Sequence, residues 1–202
     1  MTSRSIPGDW HCGAIPENVD IMPGAHVETS YSFLLFRSRR ANGLRLGTNA
    51  SASGRCMFDM GPEACFSTGD YTLLNGIWLI CDNRVSIGDY CLLSWNVVIM
   101  DSYRASKDCR NRRAMLRRFA DTRNPDAFSG HAASPVTIGN NVWIGFDCCV
   151  LPGTTIGDGA IIGARSVVSG QVPANSLFAG NPARFIRWII PNEIKQENSC
   201  GE

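Results

Sequence analysis

Three histidines, His11, His26 and His131, are the only side chains here whose ordinary titration falls between pH 5 and 8, so they are the ready candidates for proton transfer. Nine cysteines are also present, an odd number with no Cys-x-x-Cys pair: Cys109 stands alone and Cys148 and Cys149 are adjacent. That spacing predicts reduced, mostly buried thiols rather than a zinc or redox centre. Asp101 opens a long stretch that runs to Val136. Its carboxylate could remove a proton or could end a strand by bonding to nearby backbone N–H groups. The same stretch holds Arg104, Lys107, Arg110, Arg112, Arg113, Arg117 and Arg118, seven of the chain's 19 basic residues. Met115, Leu116, Phe119 and Ala120 recur among them at helical spacing after Asp108, a good N-cap. The pattern predicts a short amphipathic helix docked on the body of the protein and carrying an anion-attracting face.

What must position these residues is set by the remaining chain. With 202 residues, one sizeable domain is expected. Lys+Arg 19 against Asp+Glu 18 leaves a net charge of +1, so no whole-chain field argues for nucleic acid or an acidic membrane. No nucleic-acid fold signature accompanies the arginines either. Hydrophobic residues make up 44% and charged residues 18%, which excludes disorder and implies much hidden surface, some of it between subunits. The longest apolar runs, Phe33 to Phe36 and Ile77 to Ile80, fall far short of the roughly 20 residues of a membrane span. The first residues lack an apolar stretch before Pro7 and Gly8, so no secretory signal and a cytoplasmic location are expected.

Organisation comes from a period of six. Ile138, Ile144, Val150, Ile156, Ile162 and Val168 form an unbroken aliphatic series, followed by Gly139, Gly145, Leu151, Gly157, Gly163 and Ser169. Two residues ahead of each aliphatic stand Val136, Val142, Cys148, Thr154, Ala160 and Ser166. A helix over these positions would bury four glycines at about 1 kcal/mol each and Pro152 at about 3 kcal/mol. Short strands of β-branched residues, each turned by a small residue, carry no such cost. With three turns per coil, stacked parallel strands form a β-solenoid whose aliphatic rows fill a narrow prism. The period recurs at Ile87, Leu93 and Ile99, with Val85, Cys91 and Val97 before them, and near the N-terminus at Ile15, Ile21 and Val27. Between residues 31 and 81 the register is poor. Irregular coils are expected there, with strand-like runs over Tyr31 to Phe36 and Leu73 to Ile80.

The stretch from Pro135 through Gly145, then Val150 to Gly159, Ile162 to Ala164, and the exit Ala179-Gly180-Asn181-Pro182-Ala183-Arg184-Phe185-Ile186-Arg187, resembles the hexapeptide-repeat acyltransferases. These include maltose, galactoside and xenobiotic O-acetyltransferases. The resemblance implies an all-β left-handed parallel β-helix, here a single domain over 1–190 with an inserted helical loop at 101–134 and a tail at 191–202. It further implies a homotrimer with acyl-coenzyme A in the groove between two subunits, three sites in all. Matched position by position, Ala164 and Ser169 would line the pantetheine and adenine end, and Arg184 and Arg187 would meet the phosphates. Trp143 and Gly145 lie on the coil beside the groove. The implied reaction moves an acetyl or other acyl group from acetyl-coenzyme A to a hydroxyl or amine of a sugar-like acceptor, a sugar or nucleotide sugar. No metal is needed for an already activated thioester.

The family's general-base histidine is missing. Its position, just after the coil Trp95 to Ile99, falls on Arg104 or Ala105. Two replacements follow from the residues present. In this family the inserted loop projects toward a neighbouring groove, and a loop that returns to its origin would bring His131 near Asp101, restoring a base and its orienting carboxylate. Asp101 alone is the other. His11 and His26 read as surface or packing residues. An alternative keeps the trimer and the groove as a binding or scaffold protein without catalysis. A γ-class carbonic anhydrase on the same solenoid needs three histidines converging on zinc, and the three present lack that family's spacing.

Overall fold

The computed structural model describes residues 4–128 and 132–189. The aliphatic rows do what their period requires. Val85 and Ile87 pair in parallel with Val136 and Ile138, Leu93 with Ile144 and then Ile162, and Ile99 with Val150 and then Val168. Each of these side chains is buried. Full burial of one such side chain stabilises by about 1.5–3 kcal/mol.

The chain winds through a three-sided column. The first face has seven strands, from Val19–Ile21 to Gln171–Val172. The second runs from His26–Val27 to Ser176–Gly180 and ends with Ala183–Trp188, which turns back antiparallel. The third has five strands, from Met57–Met60 to Val167–Val168. The peptide bond Asn181-Pro182 at the final turn is cis.

Within residues 31–81, the stretch 44–81 also forms complete coils, with extra residues at the corners. Leu44 pairs with Phe66, twenty-two positions on, and Leu74 with Leu93, nineteen on, where Ile144 and Ile162 keep eighteen. This drift hid the period without breaking the interior rows. Two strand expectations are corrected. Ser30–Phe33 is a 3-10 helix, because the Thr29 side chain caps it by accepting from Tyr31 N–H. The run from Leu73 to Ile80 is split into Leu73–Asn75 and Trp78–Cys81, because Gly76 at φ +54° makes a corner between them.

The insertion leaves the column after Met100 and contains one α-helix, α1, Cys109–Thr122. Asp108 is its N-cap, accepting from Arg110 N–H at 2.7 Å. No residue of α1 is buried, however. Its apolar contact is Phe119 against Phe128, 4.8 Å between ring centres, on the neighbouring turn Pro125–Phe128. The helix thus closes over a cavity on the third face instead of packing flush against it. No helix among the described residues is long and apolar enough to cross a membrane.

Candidate active site

The edge between the second and third faces gathers several of the expected site residues. Gly145 follows Ile144 at this corner and Ala164 follows Gly163 one coil later. A Cβ on Gly145 would lie 2.7 Å from Ala164 N, so only glycine lets the two coils approach this closely. One coil further, Gly163 meets Ala179, and Gly180 N–H donates to Ser166 Oγ at 3.0 Å. The corner is therefore smooth and narrow. Arg184 pairs with Ala179 across the final hairpin, which puts its backbone beside the same edge. Arg187 pairs with Leu177 on the second face. Both arginines are exposed and neither pairs with a carboxylate among the described residues. Arg184 Nη1 donates to Ala183 O at 2.9 Å and Arg187 Nη1 to Trp188 O at 3.5 Å, so backbone carbonyls engage part of each fork.

Trp143 stands on the outer side of the second face, 48% exposed, with its indole N–H donating to Ser94 Oγ at 3.4 Å. Ser169 is exposed at the far end of the strand Val167–Val168, across the third face from Ala164. Arg165 and Phe146 also belong to the edge and escaped the sequence reading. Arg165 lies 3.6 Å from Asp147 and over the Phe146 ring. Their signal is only that both fall at the corner position of the six-residue repeat.

Further down the same edge is an open cleft of about 370 Å³, walled by Tyr31, Gly54, Arg55, Gly76, Trp78 and Asn96 among others. Trp95 borders it at Gly76. Asn96 Nδ2 donates to Asp147 Oδ1 at 3.2 Å, tying the cleft's rim to the coil of Gly145.

At the root of the insertion the structure assigns different work to the other candidates. Asp101 is fully buried. Its carboxylate accepts from the backbone N–H groups of Asp82, Asn83 and Arg84, each at 2.8 Å, and from Cys81 Sγ at 3.3 Å. Burial pushes its pKa up, against the pull of those hydrogen bonds. With both oxygens engaged and no access to solvent, it closes a coil and is out of reach of an acceptor. Cys81, buried beside this carboxylate, is raised in turn by desolvation and by the negative charge.

Arg104, at the expected histidine position, is clamped. Its guanidinium meets Asp59 at 2.7 Å and Asp82 at 2.9 Å. Burial opposes its charge, but the two carboxylates more than offset this and raise its pKa. Arg37 extends the network from Asp59 to Asp126, so five charged side chains fasten the insertion to the column. They flank a cavity of about 350 Å³ lined by Ile80, Met100, Tyr103 and Phe119. His131 lies outside the described residues. Among the described residues no three His, Cys, Asp or Glu side chains converge to hold a metal ion.

Comparison with known proteins agrees with this geometry. The bacterial transferase hexapeptide family, six repeats, matches residues 135–170. Galactoside O-acetyltransferase of Escherichia coli (strain K12) is 33% identical over 145 residues, 71% of this chain and 63% of that protein, so the chain spans under two thirds of the relative's length. A hexapeptide-repeat acetyltransferase from Vibrio cholerae O1 biovar eltor, solved with acetyl-coenzyme A, superposes with a TM-score of 0.55 at 25% identity, covering 71% of this chain and 70% of that one. A galactoside acetyltransferase solved with coenzyme A superposes at 0.50 and 25% identity, covering 87% and 64%. With three parallel faces, a continuous aliphatic interior and the six-residue repeat, the chain has the left-handed parallel β-helix of these hexapeptide-repeat acetyltransferases, and residues 135–170 carry the repeat of the bacterial transferase hexapeptide family.

Proposed function

We propose that the protein transfers an acetyl group from acetyl-coenzyme A to a hydroxyl or amine of a sugar-like acceptor, as a homotrimer whose subunits share each site. The observation that carries this reading is the corner of Gly145, Ala164 and Ala179 with Arg184 beside it. A thin pantetheine arm fits only where the backbone of successive coils is bare, and an arginine fork suits its phosphates. Trp143 and Arg187 on the second face and Ser169 across the third would flank it. Relatives solved with acetyl-coenzyme A or coenzyme A support the same donor. In the reaction the acceptor oxygen or nitrogen bonds to the acetyl carbon, its proton passes to a base, the carbon–sulfur bond breaks, and the thiolate takes up the proton. Oriented attack and proton removal suffice for the activated thioester. The fold and the absence of a membrane-length helix among the described residues fit an enzyme of the cytoplasm, met by its substrates in solution.

A second reading has one observation in its favour: Arg104, locked between Asp59 and Asp82, cannot serve as a base where the family places one. On that reading the trimer binds acetyl-coenzyme A without turning it over. Calorimetric binding of acetyl-coenzyme A and thiol release with a panel of amino sugars, methyl glycosides and sugar acids separate the two. Binding with acceptor-dependent thiol release is the expected result. Binding without release to any acceptor selects the scaffold, and no binding overturns both.

A further inference from the structure

Next to the aromatic cleft the N-terminal segment builds a polar relay that sequence reading passed over. The Asp9 carboxylate accepts from Thr29 Oγ1 at 2.7 Å, Ser30 N–H at 2.9 Å and His11 N–H at 3.1 Å, and makes a short bond to the Ser30 hydroxyl. Burial works to raise its pKa, but these donors, Ser30 and Thr29 foremost, hold it well below the usual carboxylate range. The Ser30 hydroxyl has a single hydrogen, and Asp9 takes it. The oxygen then accepts from Gly13 N–H at 2.8 Å and faces His11 Nδ1 at 3.3 Å. An oxygen with no hydrogen left to give can only accept from that nitrogen. Nδ1 therefore carries the imidazole proton, and Nε2 keeps a free lone pair.

The ring is held in place as well as polarised. Trp10 and Tyr31 meet it edge-on, with centroids 5.7 and 5.6 Å away. Tyr31 is a wall of the cleft, and Arg55, which lines it too, lies over the Trp10 ring at 5.5 Å. Trp10 is 58% exposed and Trp78 47%, so flat apolar surface is presented to a ligand at some cost in solvation. Arg55 and Asn96 both hold left-handed backbone, φ +61° and +60°, a conformation non-glycine residues adopt with strain. The cleft lies on the same edge as Gly145, its Asn96 rim one coil away and its Gly54 end three coils away, about 14 Å at about 4.8 Å per coil.

We propose that His11 is the catalytic base of this chain, with Asp9 and Ser30 as positioning residues, and that the cleft receives a ring-bearing hydroxyl or amine whose anionic substituent faces Arg55. This rests on the acetyl-transfer reading above. As the acceptor attacks the acetyl carbon, its proton moves to Nε2; as the carbon–sulfur bond breaks, that proton passes to the departing thiolate and neutral imidazole is restored. The relay stands in for the histidine that the insertion lacks at Arg104.

The test compares His11→Gln, His131→Gln and His26→Gln in the full-length protein, reading acetyl-coenzyme A affinity and thiol release with sugar acids and amino sugars. A positioned general base contributes about 10²–10⁴ in rate. H11Q is expected to lower kcat/KM at least about 100-fold with acetyl-coenzyme A affinity within about twofold, while H26Q changes neither. Retained turnover in H11Q, or a loss that follows H131Q instead, overturns the proposal while leaving the acetyl-transfer reading intact. Failure of the unmodified protein to bind acetyl-coenzyme A, or to transfer at all, removes that reading and the role of His11 with it. Nitrogen-15 spectra of the histidines provide a measurement independent of turnover. They should show His11 protonated at Nδ1 in the native protein and lose that signature in Ser30→Ala. An Nε2-protonated His11 in the native protein refutes the relay.

Discussion

The column has three corners; the insertion interrupts one, and the other two are made by the same reversal and finished in opposite ways. Between the first and second faces a ladder runs down the edge: Asp70 Oδ1 accepts from Thr48 N–H, Asp89 Oδ1 from Asp70 N–H, Asn140 Oδ1 from Asp89 N–H and Asp158 Oδ1 from Asn140 N–H, at 2.7 to 2.8 Å. Each coil satisfies the corner of the one before, and nothing is left to offer. Between the second and third faces the corresponding positions are Gly54, Gly76, Trp95, Phe146, Ala164 and Gly180. They are bare backbone or exposed aromatic, flanked by outward Leu92, Trp143, Trp78 and Val98. The first face, by contrast, turns Arg45, Ser67, Ser86, Thr137, Thr155 and Gln171 to solvent. Since the interior rows are equally buried behind both edges, stability does not explain the difference. A polar, self-satisfied edge faces water, and the apolar, unfinished edge is the one proposed to meet ligand or a neighbouring subunit.

The most forceful way to break this contrast is to fill the bare corner. Gly145→Val puts a Cβ 2.7 Å from Ala164 N and 2.9 Å from its Cα, both backbone atoms that cannot swing aside. A cost at the upper end of about 1–3 kcal/mol for overpacking is expected, with acetyl-coenzyme A affinity down at least tenfold. Denaturant unfolding and calorimetry read the two effects. Full affinity in a folded G145V would move the donor site off this edge.

The next effect is on assembly. Trp143→Asp places a charge in the apolar outer row of the second face, beside Leu92 and Ile161, where a subunit contact would desolvate it. Sedimentation should show the proposed trimer in the native protein and monomer in W143D at micromolar concentration. Thr137→Lys, its counterpart on the polar first face, should leave both assembly and stability within about 0.5 kcal/mol of the native protein. The reverse pattern, with T137K dissociating and W143D silent, would assign the contact to the face read here as solvated.

How much of this was legible in the sequence follows from what each feature depends on. The prism was readable because Ile138, Ile144, Val150 and their successors repeat without a gap, and a period survives any ignorance of partners. The coils of residues 44–81 were blurred because extra corner residues shift the phase while leaving the strands paired. The Asp108 cap and α1 were local and came through. Asp101 was visible as a candidate base or strand end, but choosing between them needs Asp82, Asn83 and Arg84 brought back to it by a full coil. The clamp on Arg104 and the Asp9, Ser30 and His11 relay join residues 19 to 45 positions apart with no periodic signal. Such pairings become visible only once the coils are stacked.

The smallest expected effect sharpens the polar edge. Asp89→Ala removes the oxygen that accepts from Asp70 N–H, a single bond on a partly wetted corner, and should cost about 0.5–1.5 kcal/mol in denaturant unfolding. Asp89→Asn keeps an acceptor oxygen. Asn140 already fills this role one coil later, accepting from Asp89 N–H at 2.8 Å. The asparagine variant should therefore recover the loss. It should even gain slightly at low salt, because the carboxylates of Asp70 and Asp89 occupy successive coils at like charge and only screening separates them from open repulsion. If D89N were as weak as D89A, the ladder would owe its strength to charge and not to the acceptor oxygen. The edge would then be an electrostatic feature of the surface, able to attract a cation, and its contrast with the bare edge would lie in charge and no longer in satisfied backbone.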